Sequence, residues 1–148
     1  DDFCILSGNI KLGSYIHISA YTCLIGGVKG IILQDFVTVS SRCAVYAVSD
    51  DFSGEQLNNS MIPTAYRSVI EGRVILEDYV SVGTGSTILP GVKLEEGAAV
   101  GAMSFVKHTL EGWKIYAGVP CRYVKDRNQN MKQLRAVLQN SGEYEESR

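Results

Sequence analysis

Aliphatic residues recur at every sixth position from Leu76 to Val106: Leu76, Val82, Ile88, Leu94, Val100 and Val106. A second set, Val80, Ser86, Val92, Ala98 and Ser104, keeps the same step and precedes each following aliphatic by two residues. Gly83 and Gly101 come directly after their aliphatics. A helix face repeats near 3.6 residues, so a period of six is not helical, and a simple hairpin sheet would place its turn clusters at less regular intervals. One inward aliphatic and one small inward partner per unit define a hexapeptide β-helix repeat, with three units to a triangular coil. A single coil is too thin to bury its own apolar side, so coils must stack to complete a core.

The same step starts early, with Leu6, Leu12, Ile18 and Leu24 as aliphatics and Ile10, Ile16 and Thr22 in the second inward position. The register breaks at Gly26-Gly27-Val28-Lys29-Gly30, read as an insertion at a coil corner, with a border of the active site as the alternative. It resumes at Leu33, Val39 and Val45, accompanied by Val37 and Cys43. A longer break covers 46–73. This stretch is polar (Ser49, Asp50, Asp51, Ser53, Glu55, Asn58, Asn59, Tyr66, Arg67), with Phe52, Met61 and Ile62 as apolar anchors. Long ordered excursions of this kind often carry function, and the pattern predicts a substrate-binding arm reaching over a neighbouring subunit. After Val106 the last coil ends, and Pro120 is expected to block further ladder. A helix is predicted over Arg127 to Gln139, with Met131, Leu134 and Leu138 as a stripe that docks on the stack. The tail from Ser141 to Arg148 reads as polar, acidic and frayed. The division is a β-helix domain over 1–125 and a C-terminal helix and tail over 126–148.

Composition narrows the function classes. The 148 residues suit one domain, and a formal charge of −2 does not point to nucleic acid. No apolar run reaches the roughly 18 residues of a membrane span, and no signal peptide is evident. The chain opens Asp1-Asp2-Phe3 without a methionine, which fits a trimmed product lacking an upstream capping element. Cys4, Cys23, Cys43 and Cys121 form no CxxC pair and read as reduced structural thiols of an intracellular protein, with Cys43 an apolar filler.

The sixfold repeats, the Ile88-Leu89-Pro90-Gly91-Val92 turn, the Val100-Gly101-Ala102-Met103-Ser104 coil and the ending Ala117-Gly118-Val119-Pro120-Cys121-Arg122 resemble the left-handed β-helix acetyltransferases, of the galactoside and polysaccharide O-acetyltransferase kind. The likeness runs from about Leu6 to Lys125 and is most specific in its C-terminal half. It implies an all-β, left-handed parallel β-helix with a long inserted loop and a short C-terminal helix. It also implies a cytoplasmic homotrimer with active sites between subunits, acetyl-CoA as donor, and a hydroxyl or amine acceptor on a sugar. By motif position, Thr84 and Ala102 resemble pantetheine contacts. Lys107 and His108 match a Thr-Lys pair, Arg122 and Lys125 the residues that bind coenzyme phosphates, and Trp113 a position near the adenine. A basic segment supports this donor: seven Lys or Arg against two acids lie between Lys107 and Arg135, and phosphates need cationic partners.

The family pattern fails at the catalytic base. The histidine that such enzymes carry at the start of the long loop corresponds here to Asp50. A hydroxyl must lose its proton to attack a thioester, and a base with a pKa near neutrality serves best. A solvated aspartate is too acidic, unless Asp51 beside it raises the pair. His17 lies between inward Ile16 and Ile18, points outward and can reach a subunit interface. It is therefore the expected base, with Asp50 or Asp51 orienting the imidazole or the sugar. An amine acceptor would need no strong base, and the aspartates would then hold substrate. Tyr66 and Arg67 are the candidate acceptor contacts, Arg67 for a phosphate.

The expected activity is acetyl transfer to a saccharide hydroxyl in cell-surface polysaccharide synthesis. N-acetylation of a nucleotide-linked amino sugar is the alternative, and a non-catalytic scaffold the second. A carbonic anhydrase on this fold needs three zinc-binding histidines, and the chain has His17 and His108 only.

Overall fold

A computed structural model describes residues 1–142; the acidic end of the expected frayed tail lies outside them. Three parallel sheets form the faces of a prism. The first face stacks Ile5–Ser7, Cys23–Ile25, Ala44–Tyr46, Thr87–Ile88 and Phe105–Val106. The second stacks Ile10–Leu12, Ile31–Leu33, Val74–Leu76 and Lys93–Leu94. The third stacks His17–Ile18, Thr38–Val39, Ser81–Val82, Ala99–Val100 and Lys114–Ala117. Leu76 pairs with Leu94, Val82 with Val100 and Ile88 with Val106, so one coil is three hexapeptides. The two breaks in period are the two departures from this step. Leu12 pairs with Leu33, and Leu33 with Leu76.

Both inward columns are buried as the period requires. Leu24, Leu33, Val45, Leu76, Ile88 and Leu94 are fully or almost fully covered, and so are the small partners Thr22, Cys43, Ser86, Ala98 and Ser104. The polar members are satisfied: Ser86 and Ser104 both donate to the Gly101 carbonyl, and Thr22 to that of Ser40. The first coil departs from the expectation. Leu6 and Leu12 are 46% and 47% exposed, because among the described residues no coil lies beneath them. Where stacking is one-sided, an inward position is not a buried one.

The corner between the second and third faces carries a feature that the period does not announce. Tyr15, Phe36 and Tyr79 occupy it in the first three coils and Trp113 in the fifth, with φ of 56°, 59°, 63° and 52°. Left-handed backbone is costly for bulky residues, so something must hold it. The rings do, stacking with centroids 5.0 Å apart (Tyr15–Phe36), 5.6 Å (Phe36–Tyr79) and 5.7 Å (Tyr79–Trp113). Such contacts add about 0.5–1.5 kcal/mol each beyond burial. Gly97 takes the fourth coil's place in this column, and a Cβ there would sit 2.4 Å from Trp113 Cδ2. Gly97→Ala must displace the indole, so a loss of about 1–3 kcal/mol is expected from overpacking. Thermal unfolding followed by circular dichroism checks this; an unchanged midpoint would show that the indole moves freely.

The C-terminal segment differs from its expected form in two ways. Pro120 lies in a turn and does not end pairing: Arg122–Asp126 returns antiparallel to Lys114–Ala117 and extends the third face. The helix is Asn130–Asn140, starting three residues later than predicted. Arg127 is diverted from it. Its N–H donates to the Trp113 carbonyl, and its guanidinium donates to the carbonyls of Tyr79 (2.8 Å) and Gly97 (3.0 Å) and to Ser81 Oγ (3.0 Å). The stripe of Met131, Leu134 and Leu138 faces the stack across an open groove of about 170 Å³ that Phe36 and Tyr79 also line, and Leu134 stays 59% exposed. No helix among the described residues is long and apolar enough to cross a membrane.

Candidate active site

The long excursion is an arm with a built stem. The coil runs through Tyr46, Ala47 is fully buried, and Val48–Asp50 then pairs antiparallel with Val69–Glu71. At its tip Asp51 fastens the two sides. Its carboxylate accepts the Ser53 N–H (2.8 Å), the Ser53 hydroxyl (3.0 Å) and the Ser68 hydroxyl (2.8 Å). Hydrogen bonds to the charged form stabilise it, and the Ser53 N–H and the two hydroxyls hold Asp51 below the usual carboxylate range. Asp51 locks the loop. Of the expected anchors, Phe52 and Met61 are 79% and 88% exposed and Ile62 is partly buried.

Between the arm and the first face lies a cleft of about 480 Å³. Asp50, Asp51, Phe52 and Ile70 line it from the arm, and Leu89, Pro90, Phe105 and Lys107 from the coils. It is mostly apolar, with two carboxylates on the arm side and an ammonium on the coil side. Asp50 stands 4.0 Å from Arg67 Nη1, and both are largely covered. Arg67 Nε is buried with no hydrogen-bond partner. Tyr66 ends a short 3-10 turn and is 63% exposed. Asp50, Asp51, Arg67 and Lys107 are thus brought to one place by the stem and by the strand Phe105–Val106.

Thr84 and Ala102 stack one coil apart at the corner joining the third face to the first. The Met103 N–H donates to the Thr84 carbonyl there, and a Cβ on Gly83 would lie 2.5 Å from the Ala102 nitrogen. Lys107 and His108 leave the other edge of that face. Phe105 exchanges backbone hydrogen bonds with Gly118 and Cys121, so Arg122, which pairs with Ala117 on the third face, directly follows a residue bonded to the first.

The basic segment is smaller than its composition suggests. Lys114 pairs with Glu111, Lys132 with Glu96, and Arg135 with Asp35 and Asp78, while Arg127 holds backbone carbonyls. That leaves Lys107, Arg122 and Lys125 without an acidic partner among the described residues. Trp113 is also taken: it lies in the aromatic column with Lys132 over its ring, on a corner other than that of Thr84 and Ala102. His17 sits on the third face with a ring nitrogen 3.2 Å from the Asp1 carboxylate. Within one chain no contact among the described residues brings it to Asp50, which leaves the stack after Ala44–Tyr46, the middle strand of the first face.

Comparison with known proteins adds the following. No protein-family model matches the chain. A dTDP-4-amino-4,6-dideoxy-D-glucose acyltransferase of Escherichia coli is 35% identical over 144 residues, covering 95% of this chain and 74% of the relative. The solved structure of AntD, an N-acyltransferase from Bacillus cereus, in complex with dTDP-4-amino-4,6-dideoxyglucose and coenzyme A, is 50% identical. It superposes with a TM-score of 0.94 over 95% of this chain and 76% of that one. AntD has also been solved with dTDP and 3-hydroxybutyryl-CoA. A maltose O-acetyltransferase from Clostridium difficile 630, at 20% identity and a TM-score of 0.65 over 86% of this chain and 68% of that one, shares the fold.

Proposed function

This chain belongs to the hexapeptide-repeat acyltransferases with a left-handed β-helix, and from that premise we propose that it transfers an acyl group from coenzyme A to the amino group of a nucleotide-linked 4-amino-4,6-dideoxy sugar. The observation that carries this reading is the cleft between arm and coils, with Asp50 facing Lys107, in a chain 50% identical to an N-acyltransferase that binds such a sugar. These relatives favour the amine over the saccharide hydroxyl first expected.

An amine changes what the site must do. The sugar nitrogen bonds to the thioester carbonyl carbon, the C–S bond breaks, and one amine proton must leave. A free amine is already a nucleophile, so a histidine base is not demanded. Asp50 accepts the hydrogen bond of the attacking amine, fixes its direction and takes the proton, which ends on the departing thiolate. The oxyanion that forms transiently needs a hydrogen-bond donor, and backbone N–H groups at the coil corners supply the type. Lys107 and Arg122 hold coenzyme phosphate, with Lys125 and His108 beside them, while Thr84 and Ala102 offer backbone to the pantetheine.

We place the arm against a neighbouring subunit in a trimer, where it would cover the apolar side chains of Phe52 and Met61 that this chain leaves 79% and 88% exposed. A charged nucleotide sugar and a coenzyme thioester do not cross membranes, which supports a cytoplasmic enzyme.

The experiment is a thiol-release assay. Acetyl-CoA and 3-hydroxybutyryl-CoA are each offered dTDP-4-amino-4,6-dideoxyglucose and, separately, hydroxyl sugars. Release with the amino sugar and a matching mass gain on it are expected. Acylation of hydroxyl acceptors alone would overturn the reading. In the same assay Lys107→Ala with Arg122→Ala is expected to raise the KM for acyl-CoA about tenfold or more, as lost charge-assisted phosphate contacts do. The acceptor KM should change little, and an unchanged donor KM would remove the phosphate assignment.

A further inference from the structure

A second pocket lies at the foot of the arm, on the side of the earlier coils. It is small, about 70 Å³, and is lined by Asn9, Lys11, Lys29, Gly30 and Arg73 together with Ile31 and Ile32. Three cations and an amide face it, and no carboxylate lines it. The stacking of the coils brings these residues together. Asn9, Gly30 and Arg73 each directly precede, or stand next to, paired strands of the second face, and Lys11 lies in the strand that pairs with Ile31–Leu33.

The pocket is held in shape. Arg73 Nε donates to the Lys29 carbonyl at 3.0 Å, tying the end of the arm to the glycine-rich corner. Gly30, at φ +89°, lets the chain tuck against Asn9, where a Cβ would fall 3.1 Å from the Asn9 oxygen and 3.2 Å from Nδ2. Lys11, Lys29 and Arg73 form no ion pair among the described residues. Three like charges gathered without an acid repel one another, and an anion with several oxygens relieves this while accepting hydrogen bonds from each.

We infer that this pocket seats the pyrophosphate of the nucleotide-linked acceptor; the inference rests on the acceptor reading above. Ile70 lines the catalytic cleft and Arg73 the basic pocket. Three residues span at most about 10 Å, so the two sites are neighbours across the foot of the arm, a separation suited to a sugar joined to its pyrophosphate. The amine then lies in the cleft beside Asp50, with the diphosphate below it. The same chemistry fits the phosphates of coenzyme A, and the test separates the two.

Lys11→Glu with Lys29→Glu reverses two exposed charges without touching the core. Calorimetry with thymidine diphosphate and, separately, with coenzyme A is run on parent and variant at one fixed ionic strength. The expected result is a loss of at least tenfold in nucleotide affinity with coenzyme A affinity unchanged. Parent and variant binding the nucleotide equally would overturn the pocket assignment and leave the acceptor reading intact. A loss confined to coenzyme A would assign the pocket to the donor and overturn the inference. A parent that binds coenzyme A but no nucleoside diphosphate would remove the acceptor reading and the inference with it.

Discussion

Asp50→Asn is expected to lower kcat about 100-fold or more while leaving the β-helix folded and the KM for acyl-CoA near its parent value. Asparagine keeps the size and one hydrogen-bonding oxygen of the carboxylate but cannot take up a proton, and positioned proton transfer contributes about 10²–10⁴ in rate. Asp50 lies on the paired stem of the arm, not in its loop, so the substitution leaves the ladder with Val69 unchanged. Circular dichroism and steady-state kinetics on the variant separate folding from chemistry. His17→Ala belongs in the same experiment. On the amine reading its turnover stays close to the parent's, because a free amine needs no histidine base and His17, on the third face, is not among the residues that line the cleft. If the histidine variant lost turnover and the aspartate variant did not, His17 would be the base, acting across a subunit boundary.

Arg135→Ala is expected to destabilise the chain by about 2–3 kcal/mol, which for a protein of this size lowers Tm by roughly 5–10 °C. Arg135 donates to Asp78 at 2.7 Å and Asp35 at 2.8 Å, with its guanidinium 4.9 Å from the Phe36 ring centroid and 5.7 Å from that of Tyr79. Its removal leaves two neighbouring carboxylates, each 29% exposed, facing each other without a cation. The pairs are partly solvated, so the figure stands below that for a fully buried network. Arg135→Lys should recover only part of the loss, since an ammonium cannot present the planar fork that spans two acids and stacks on a ring. Calorimetric unfolding of both variants checks this; a Tm within a degree of the parent's would mean that the helix contributes little to the stack.

Most of the fold was legible because a hexapeptide repeat is a local signal. Whether Val82 or Ser86 points inward follows from its place in a six-residue unit, and identical units can pair only in step. The family was legible for a related reason: the ending from Ala117 to Arg122 is a contiguous string. The helix start was misplaced because the pull on Arg127 comes from the carbonyls of Tyr79 and Gly97, which no window around Arg127 contains. The aromatic column was missed because its members are isolated residues at corners, one per coil, and the two insertions shift their spacing. The positive φ that unites them is a backbone property without a sequence label. The apolarity of Phe52 and Met61 does not by itself say which surface they meet.

The candidate site divides along the same line. The sequence by itself determined the coil, the existence and limits of the arm, and the carriers of charge within it, including Asp50 where a histidine was expected. These depend on neighbours a few residues away. Tertiary structure alone decided which charges are available. It paired Arg135 with Asp35 and Asp78, 100 and 57 residues distant, gave Asp51 to the loop, set Lys107 across the cleft from Asp50, and gathered Lys11, Lys29 and Arg73 from three coils. The physical reason is that a charge acts over a few ångströms through space, while the chain that brings its partner there has no length limit.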